Sequence, residues 1–291
     1  MKKPYLLAAI SIFIWSTVPV ISKNLLGNFS SLQIVCASAL FAALFLIILN
    51  IANGNIKKLK EYKAKDFITT ILIGLPGTFF YYVFLYLGTD KMLASQAFII
   101  NYLWPIMSIV FACVILKEKM TAKGIIAVIM SFIGVIIVTG DDILHFDSNT
   151  LFGAFFCILG AISYGLFTAL NKKFAYTKSV SMMISYSATF IFTFFIILLT
   201  DDLFTLNFYQ TLGIFWNGVF SYAIGTTLWT IALDKGNTSK ISNFAYVTPF
   251  LALVWTAIFL REPIKPTSII GLIVIVSGIL LQLNSKKEIK K

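Results

Sequence analysis

Two short motifs inside apolar segments carry the polar and aromatic side chains best suited to bind a small molecule. Residues 101–105 read Asn-Tyr-Leu-Trp-Pro, and residues 245–249 read Ala-Tyr-Val-Thr-Pro, 144 positions later. A proline within a helix removes a backbone donor and clashes with the carbonyl four residues earlier, which frees the carbonyls of Asn101 and Ala245. Within hydrocarbon, a freed carbonyl is tolerated only where it faces protein or a water-filled cavity. These two proline motifs therefore predict paired helix breaks around a binding site, and the plainer alternative is a pair of structural kinks.

Residues that could support catalysis or metal binding are scattered rather than clustered. His145 is the single histidine and falls in an acidic loop, while Cys36, Cys113 and Cys157 each lie within an apolar run. This distribution offers no metal-ligand cluster, no nucleophile paired with a base and no carboxylate pair within an apolar run. We therefore expect no metal, no cofactor and no catalytic residues, and we assign the cysteines to packing.

Charged side chains are absent from the middle of every apolar run. All 12 acidic residues lie at or near the ends of these runs. An ionisable side chain near the middle would mark an ion or proton pathway. The expected ligand is therefore neutral or zwitterionic rather than a bare ion.

The composition is that of a membrane protein with many spans. The chain is 59% hydrophobic and 12% charged, whereas soluble domains are about 45–50% apolar and about 25% charged. The net charge of +11 comes from lysines in short separators, where they would contact lipid headgroups. The expected partners are the lipid bilayer and a small-molecule substrate, without nucleic acid, and the expected assembly is a monomer or weak homodimer.

Ten apolar runs approach the roughly 20 residues that a helix needs to cross a bilayer. They cover residues 5–22, 31–51, 66–88, 92–116, 121–139, 151–170, 180–199, 208–231, 238–260 and 264–283. Of the 23 Lys and Arg residues, 19 fall on the side that holds both termini. This bias predicts cytoplasmic termini in a bacterial inner membrane. The predicted fold is an all-α membrane protein with ten transmembrane helices.

The two halves of the chain resemble each other. Residues 90–134 align with residues 234–278 without gaps at 12 identical positions. The informative pairs are Asp90/Asp234, Lys91/Lys235, Ser95/Ser239, Tyr102/Tyr246, Pro105/Pro249, Glu118/Glu262 and Gly134/Gly278. Because each half has five spans, the second half must enter the membrane from the opposite face. The sequence thus predicts two inverted five-helix repeats, residues 1–145 and 146–291, with the binding site between them.

Small, hydroxylated and aromatic residues recur at helical spacing in the third and fourth spans. Gly74, Thr78, Tyr82 and Tyr86 share one helix face in the third span, and their counterparts 144 positions later are Gly218, Tyr222, Thr226 and Thr230. Asn101, Trp104 and Ser108 share a face in the fourth. Such stripes are typical of a cavity wall, although helix packing in membranes also favours Gly, Ser and Thr. For Gly124, Ser131, Gly134, Gly271, Ser277 and Gly278, packing is the better interpretation.

Four motifs together resemble the EamA-type transporters of the drug/metabolite transporter superfamily. They are residues 14–17 (Ile-Trp-Ser-Thr), 101–105, 169–174 (Ala-Leu-Asn-Lys-Lys-Phe) and 246–249, and the resemblance covers the whole chain. Among these transporters, the motifs also resemble those of a bacterial exporter of aromatic amino acids. The resemblance implies a central cavity lined by Tyr102 and Trp104, by Tyr81 or Tyr82, and by Tyr164, which stands where that exporter has tryptophan.

The stripes, the motifs and the resemblance together give one set of candidate substrate-binding residues. They are Trp15, Thr78, Tyr81, Tyr82, Asn101, Tyr102, Trp104, Tyr164, Tyr222 and Tyr246. The leading hypothesis is an exporter of small neutral or zwitterionic metabolites, amino acids with aromatic side chains among them, that alternates between two open states without an obligatory coupling ion. The alternatives are a broad exporter of drug-like compounds and, from another class, a membrane enzyme or lipid-handling protein.

Overall fold

A computed structural model describes residues 2–117, 122–139, 147–174, 176–200, 202–235, 245 and 247–288. Within these residues the regular structure is helical throughout. His145 and Tyr246, both considered above, lie outside the described residues. The α-helices are α1 (Lys2–Leu26), α2 (Ser31–Ala52), α3 (Ala64–Leu75), α4 (Tyr81–Lys91), α5 (Ala94–Asn101), α6 (Trp104–Leu116), α7 (Ala122–Thr139), α8 (Ser148–Lys173), α9 (Lys178–Leu199), α10 (Phe208–Phe215), α11 (Thr226–Lys235), α12 (Val247–Phe259) and α13 (Pro266–Glu288).

Helix length and composition confirm an all-helical protein that crosses the membrane several times. Seven helical stretches of the described chain, which match the first seven predicted spans, are long and apolar enough to cross a bilayer. The apolar helices Val247–Phe259 and Pro266–Leu281 are shorter. Large apolar side chains such as Ile48, Val114 and Ile136 lie exposed on the outer surface, where lipid would cover them.

Prolines and π-helical segments interrupt three of the predicted spans. In the fourth span, α5 ends at Asn101 and α6 begins at Trp104 with Pro105 in its first turn, so the predicted break is present. In the third span, the π-helical segment Pro76–Phe80 joins α3 to α4. A longer π-helical segment, Trp216–Gly225, joins α10 to α11 in the eighth span. Because a π-helical turn holds an extra residue, each segment changes which side chains share a face.

The closest helix pairs join the first half of the chain to the second. Helix α2 packs along α9, and α7 packs along α13. Helices α4 and α6 pack against α8, while α11 and α12 pack against α1. The contacts of α4 and α6 with α8 therefore have counterparts in the contacts of α11 and α12 with α1, in which the roles of the halves are exchanged.

Glycines allow two further crossings between the halves to be close. A Cβ added at Gly74 would collide with Ser185 of α9, and a Cβ added at Gly218 would collide with the backbone carbonyl of Ser38 in α2. Gly74 and Gly218 correspond at the spacing of 144 residues. The paired collisions explain why both positions in the stripe carry glycine.

Replacing Gly218 with alanine is expected to destabilise the protein by about 1–3 kcal/mol, the usual cost of forcing an extra methyl group into a packed interior. The carbonyl of Ser38 belongs to the backbone and cannot rotate away. Gly213→Ala is the matched control, because its nearest neighbour would be the flexible end of Leu25, 3.3 Å away. Thermal unfolding of the detergent-solubilised protein measures the difference, and equal melting temperatures for the two variants would contradict it.

Candidate functional site

A cavity lies between the two halves at the level of the proline motifs. The space in it that the centre of a water molecule can reach is about 70 Å³, which is room for several waters. No charged side chain is found among the residues that line it, which are Trp15, Val18, Tyr81, Tyr82, Leu85, Phe98, Asn101, Tyr102, Trp104, Tyr164, Ser221, Thr226 and Thr248.

Aromatic rings from three helices form one wall of this cavity. The ring of Tyr164 in α8 lies 4.6 Å from the ring of Tyr81 in α4, to which it is tilted. It also lies 5.1 Å from the indole of Trp104 in α6, in an edge-to-face arrangement. Tyr82 touches Tyr81, with ring centroids 4.7 Å apart. Trp104 is only half-buried, so part of its indole is free to contact a ligand. Such a wall suits a planar apolar group.

Asn101 and Thr248 add polar groups to the cavity. Asn101 is 3% exposed and its Nδ2 donates to the hydroxyl of Tyr81 at 3.0 Å, whereas its Oδ1 has no hydrogen-bond partner. Thr248, in the first turn of α12, is 5% exposed, and its Oγ1 also has no partner. Each of these two oxygens has almost no accessible surface, so neither is open to the cavity, although other atoms of both residues line it.

A hydrogen bond joins the two proline motifs directly. The hydroxyl of Tyr102 donates to the carbonyl of Ala245 at 2.5 Å, in buried surroundings. This is one of the two carbonyls that the prolines were expected to free, and it also accepts from the backbone N–H of Thr248 at 3.0 Å. The tyrosine of one motif therefore satisfies the backbone of the other.

The motif of the first span connects α1 to the second half. The indole N–H of Trp15 donates to the carbonyl of Ser221 at 3.3 Å, and its ring lies 5.5 Å from the ring of Trp229. The hydroxyls of Ser16 and Thr17 accept from the indoles of Trp255 and Trp216, each at 3.0 Å. Of this motif, Trp15 lines the cavity and the two hydroxyl residues hold neighbouring helices in place.

Seven of the ten candidate residues line the cavity and two do not. Thr78 points to α9 instead, where it pairs with Thr189 at 2.8 Å and donates to the carbonyl of Gly74. Tyr222 stacks on Tyr82, with centroids 3.8 Å apart, outside the lining of the cavity. The tenth, Tyr246, lies outside the described residues. The seven that line the cavity are Trp15, Tyr81, Tyr82, Asn101, Tyr102, Trp104 and Tyr164.

Sequence reasoning did not select six residues that line the cavity. Two of them had a signal, because Thr226 and Thr248 stand 144 positions after Tyr82 and Trp104. The others are apolar or small residues that no pattern in the sequence distinguishes. They are Val18, Leu85, Phe98 and Ser221.

A second cavity opens at the end of the molecule that carries most of the lysines. We call this the lysine-rich end, because residues 57–65 and 172–178 meet there, for example in the hydrogen bond from Tyr176 to Asp66 at 3.2 Å. The space open to water centres in this cavity is about 440 Å³, and its lining includes Asn53, Lys178 and Thr226. Thr226 also lines the central cavity, so the two cavities adjoin.

Side chains of opposite charge bind the ends of neighbouring helices at the other end of the molecule. The ammonium of Lys23 in α1 donates to the carbonyls of Thr89 and Met92 at the end of α4, at 2.5 and 2.9 Å. The carboxylate of Glu262 accepts from the backbone N–H groups of Ala94 and Ser95, which begin α5, at 2.7 and 2.9 Å. A cation at a helix C-terminus and an anion at a helix N-terminus both oppose the helix dipole. We call this set the Lys23–Glu262 closure.

Helices long enough to cross a membrane, arranged around a cavity at two proline motifs, define a multi-pass transporter for a small molecule. The chain belongs to the EamA-like transporter family, whose family model matches residues 2–140 and again residues 151–283. This match confirms the family that the sequence motifs predicted. Its relatives bear the names of transporters rather than enzymes.

Several relatives match most of the chain at low identity. A transporter of Clostridium kluyveri, named as uncharacterized, is 26% identical over 99% of this chain and 95% of its own length. The transporter YvbV of Bacillus subtilis, also named as uncharacterized, is 23% identical over 98% of this chain and 93% of its own. The aromatic amino acid exporter YddG of Escherichia coli is 19% identical over 65% of this chain and 66% of its own. A protein of known crystal structure is similar over 100% of both chains, with a TM-score of 0.69 and 16% identity, which concerns the fold alone.

Proposed function

We propose that this transporter exports small neutral or zwitterionic metabolites, amino acids with aromatic side chains among them, across a bacterial inner membrane. The observation that carries the proposal is the cavity wall of Tyr81, Trp104 and Tyr164, which offers stacking surfaces with no charged side chain among the lining residues. The name of the relative YddG, an aromatic amino acid exporter, supports the same substrate class.

The proposed architecture has ten spans in two inverted repeats, residues 1–145 and 146–291, with both termini in the cytoplasm. The exchange of roles in helix packing supports the repeat, since α4 and α6 contact α8 as α11 and α12 contact α1. The paired glycine crossings at Gly74 and Gly218 follow the same exchange. The excess of basic residues at the lysine-rich end supports its cytoplasmic location.

The proposed mechanism is alternating access to the central cavity. The larger cavity at the lysine-rich end provides a path for the ligand from the cytoplasm, while the Lys23–Glu262 closure separates the central cavity from the outside. Breaking that closure, with closing of the lysine-rich end, would release the ligand outside. Transport then needs no chemical step, only ligand binding and the exchange of two closures.

The substrate class is tested by the efflux profile of cells that overproduce the protein. Release of phenylalanine, tyrosine or tryptophan above the level of cells carrying an empty vector is the expected result. Protection from dyes without any change in amino-acid release would favour a broad exporter of drug-like compounds instead. Turnover of a substrate by the protein in detergent, where there is no compartment to transport across, would favour an enzyme.

In proteoliposomes, we expect amino-acid uptake to follow the substrate gradient alone and to persist when an ionophore is present. The reason is that no carboxylate lines the central cavity, so no group there could link its protonation to the change of state. Asp66 and Asp90 lie near opposite ends of the molecule, and Asp66 accepts from the backbone N–H of Lys63. Concentrative uptake driven by an imposed pH gradient would contradict this expectation.

A further inference from the structure

An aromatic pair and a threonine lie between the central cavity and the cavity at the lysine-rich end. Tyr82 of α4 lines the central cavity, whereas Tyr222, in the segment Trp216–Gly225, lines the cavity at the lysine-rich end. Thr226 lines both cavities. The path that the proposed mechanism requires between the two cavities therefore runs past these three side chains.

The rings of Tyr82 and Tyr222 are in direct contact. Their centroids are 3.8 Å apart and their planes differ by 25°, so the two rings are stacked. Tyr82 is 8% exposed and Tyr222 is 0% exposed. Because both rings are buried, a ligand can pass between them only if they separate.

Further polar and aromatic contacts hold Tyr222 in place. Its hydroxyl shares a hydrogen bond with the hydroxyl of Tyr86 at 2.6 Å, and its ring lies nearly parallel to that of Tyr186 with centroids 5.6 Å apart. Nδ2 of Asn217 also donates to the hydroxyl of Tyr86, at 3.4 Å. Tyr86 belongs to α4, as does Tyr82. A movement of α4 relative to the second half would therefore break the stack and the hydrogen bond to Tyr222 together.

Two aromatic rings that separate favour a ligand with a ring of its own. Separation exposes a ring face on each tyrosine and loses the contact between them. A flat aromatic group can stack on these faces and restore part of that contact, whereas an aliphatic group of equal size has no π-system to do so. The barrier to entry is therefore lower for a ligand that carries an aromatic ring.

We propose that Tyr82 and Tyr222 form an aromatic gate that selects ligands with a flat ring as they pass from the lysine-rich end to the central cavity. The inference rests on the proposed function. It adds a selection step during entry, separate from binding against Trp104 and Tyr164. Tyr222 thus affects which ligand enters, although it does not line the central cavity.

The gate is tested by the access of a maleimide to the central cavity. The three native cysteines are replaced by serine, Phe98→Cys provides a reporter in the cavity wall, and the protein is placed in nanodiscs, where both ends face the reagent. Tyr222→Ala is expected to raise the labelling rate about 10-fold or more, since it removes both the stack and the hydrogen bond to Tyr86.

Tyr186→Ala is the matched control for this labelling. Tyr186 is also buried, at 2% exposed, and stacks on Tyr222, but it lines neither cavity. The labelling rate of this variant should stay close to that of the parent. Melting temperatures verify that both alanine variants are folded.

The selection is tested with two ligands of similar shape, phenylalanine and 3-cyclohexylalanine, of which only the first has an aromatic ring. Their association rate constants with the purified full-length protein are measured by stopped flow from the change in tryptophan fluorescence. The parent is expected to bind phenylalanine about 2- to 10-fold faster, the contribution of one aromatic pair. Tyr222→Phe should keep this ratio because the ring remains, and Tyr222→Leu should reduce it to near one. Both variants lose the hydroxyl, so the difference between them isolates the ring.

The outcomes distinguish the gate from the wider function. Equal labelling rates in Tyr222→Ala and Tyr186→Ala, or the same ratio of association rates in Tyr222→Leu as in Tyr222→Phe, would show that the pair is not a selective gate, while the proposed function stands. If the parent neither binds nor transports any aromatic amino acid, both are wrong. If Tyr222→Ala does not fold, the comparison of Tyr222→Leu with Tyr222→Phe decides.

Discussion

Replacing Trp104 with alanine is expected to weaken substrate binding by about 30- to 1,000-fold. The indole is half-buried in the cavity wall and packs edge-to-face against Tyr164 at 5.1 Å. Aromatic pairs contribute about 0.5–1.5 kcal/mol beyond the burial of area, and burial of a large side chain adds about 1.5–3 kcal/mol. A combined loss of roughly 2–4 kcal/mol corresponds to that range of affinity. Calorimetry with phenylalanine, or its uptake into proteoliposomes, measures the loss.

Two further variants separate a ligand contact at Trp104 from a packing role. Trp104→Phe keeps a stacking face and should retain most of the transport. Trp255→Ala is the matched control, since Trp255 donates to Ser16 and contacts Phe13 but does not line the cavity. It should lower the yield of folded protein and leave the affinity of the folded fraction unchanged. A Trp104→Ala protein that is monodisperse and binds phenylalanine like the parent would remove Trp104 from the site.

The proline motifs were predictable because proline has a fixed local effect. The absence of its N–H and the clash of its ring act within one turn, so Pro105 alone predicted that the fourth span is broken between Asn101 and Trp104. The acceptor freed at Ala245 was predictable for the same reason. Its partner was not, since the hydroxyl of Tyr102 reaches it across 143 residues of chain. That pairing depends on how the two halves pack.

The faces of the third and eighth spans were harder to predict. A spacing of four residues placed Thr78 and Tyr82 on one stripe, but the π-helical segment Pro76–Phe80 begins just before Thr78 and changes the register. As a result Tyr81 and Tyr82 line the cavity, while Thr78 bonds to Thr189. The segment Trp216–Gly225 has the same effect, so that Ser221 lines the cavity in place of Tyr222.

The charged residues near the ends of spans were recognised in the sequence only as matches between the halves. Glu262, for example, was notable because it corresponds to Glu118. Their role follows from the structure, in which Lys23 reaches the last carbonyls of α4 and Glu262 reaches the first N–H groups of α5. A helix end needs such partners for its free backbone groups. Which side chains supply them depends on contacts between distant segments.

Removal of the Glu262 carboxylate is expected to open the end of the transporter that holds the Lys23–Glu262 closure. This carboxylate accepts from the backbone of Ala94 and Ser95 and from the hydroxyl of Ser95 at 2.7 Å. A hydrogen bond to a charged group contributes about 1.5–3 kcal/mol. Loss of even one such bond from the closed state alone would raise the ratio of open to closed protein by about 10- to 100-fold.

The opening is measured by labelling a cysteine in the cavity from outside the cell. The native residues Cys36, Cys113 and Cys157 are first replaced by serine, and Ser221→Cys provides the reporter, since Ser221 lines the cavity and is buried. A membrane-impermeant maleimide is then added to right-side-out vesicles. In this background, the maleimide should react with the reporter cysteine about 10-fold faster or more in the Glu262→Ala variant than in the parent. Because Glu262→Gln keeps an acceptor oxygen, its labelling rate should lie between those of the parent and Glu262→Ala.

Asp90→Asn is the matched control for this experiment. Asp90 is a neighbouring carboxylate at the same end of the molecule. Its hydrogen bond with Lys23 is made by its backbone carbonyl at 3.3 Å, which asparagine retains, and its side chain acts on Lys23 only through its charge. Its labelling rate should stay close to that of the parent. Equal rates in Glu262→Ala and Asp90→Asn would show that Glu262 does not hold this end closed. Rapid labelling of the parent itself would show that the end beside Lys23 already stands open, or that it faces the cytoplasm.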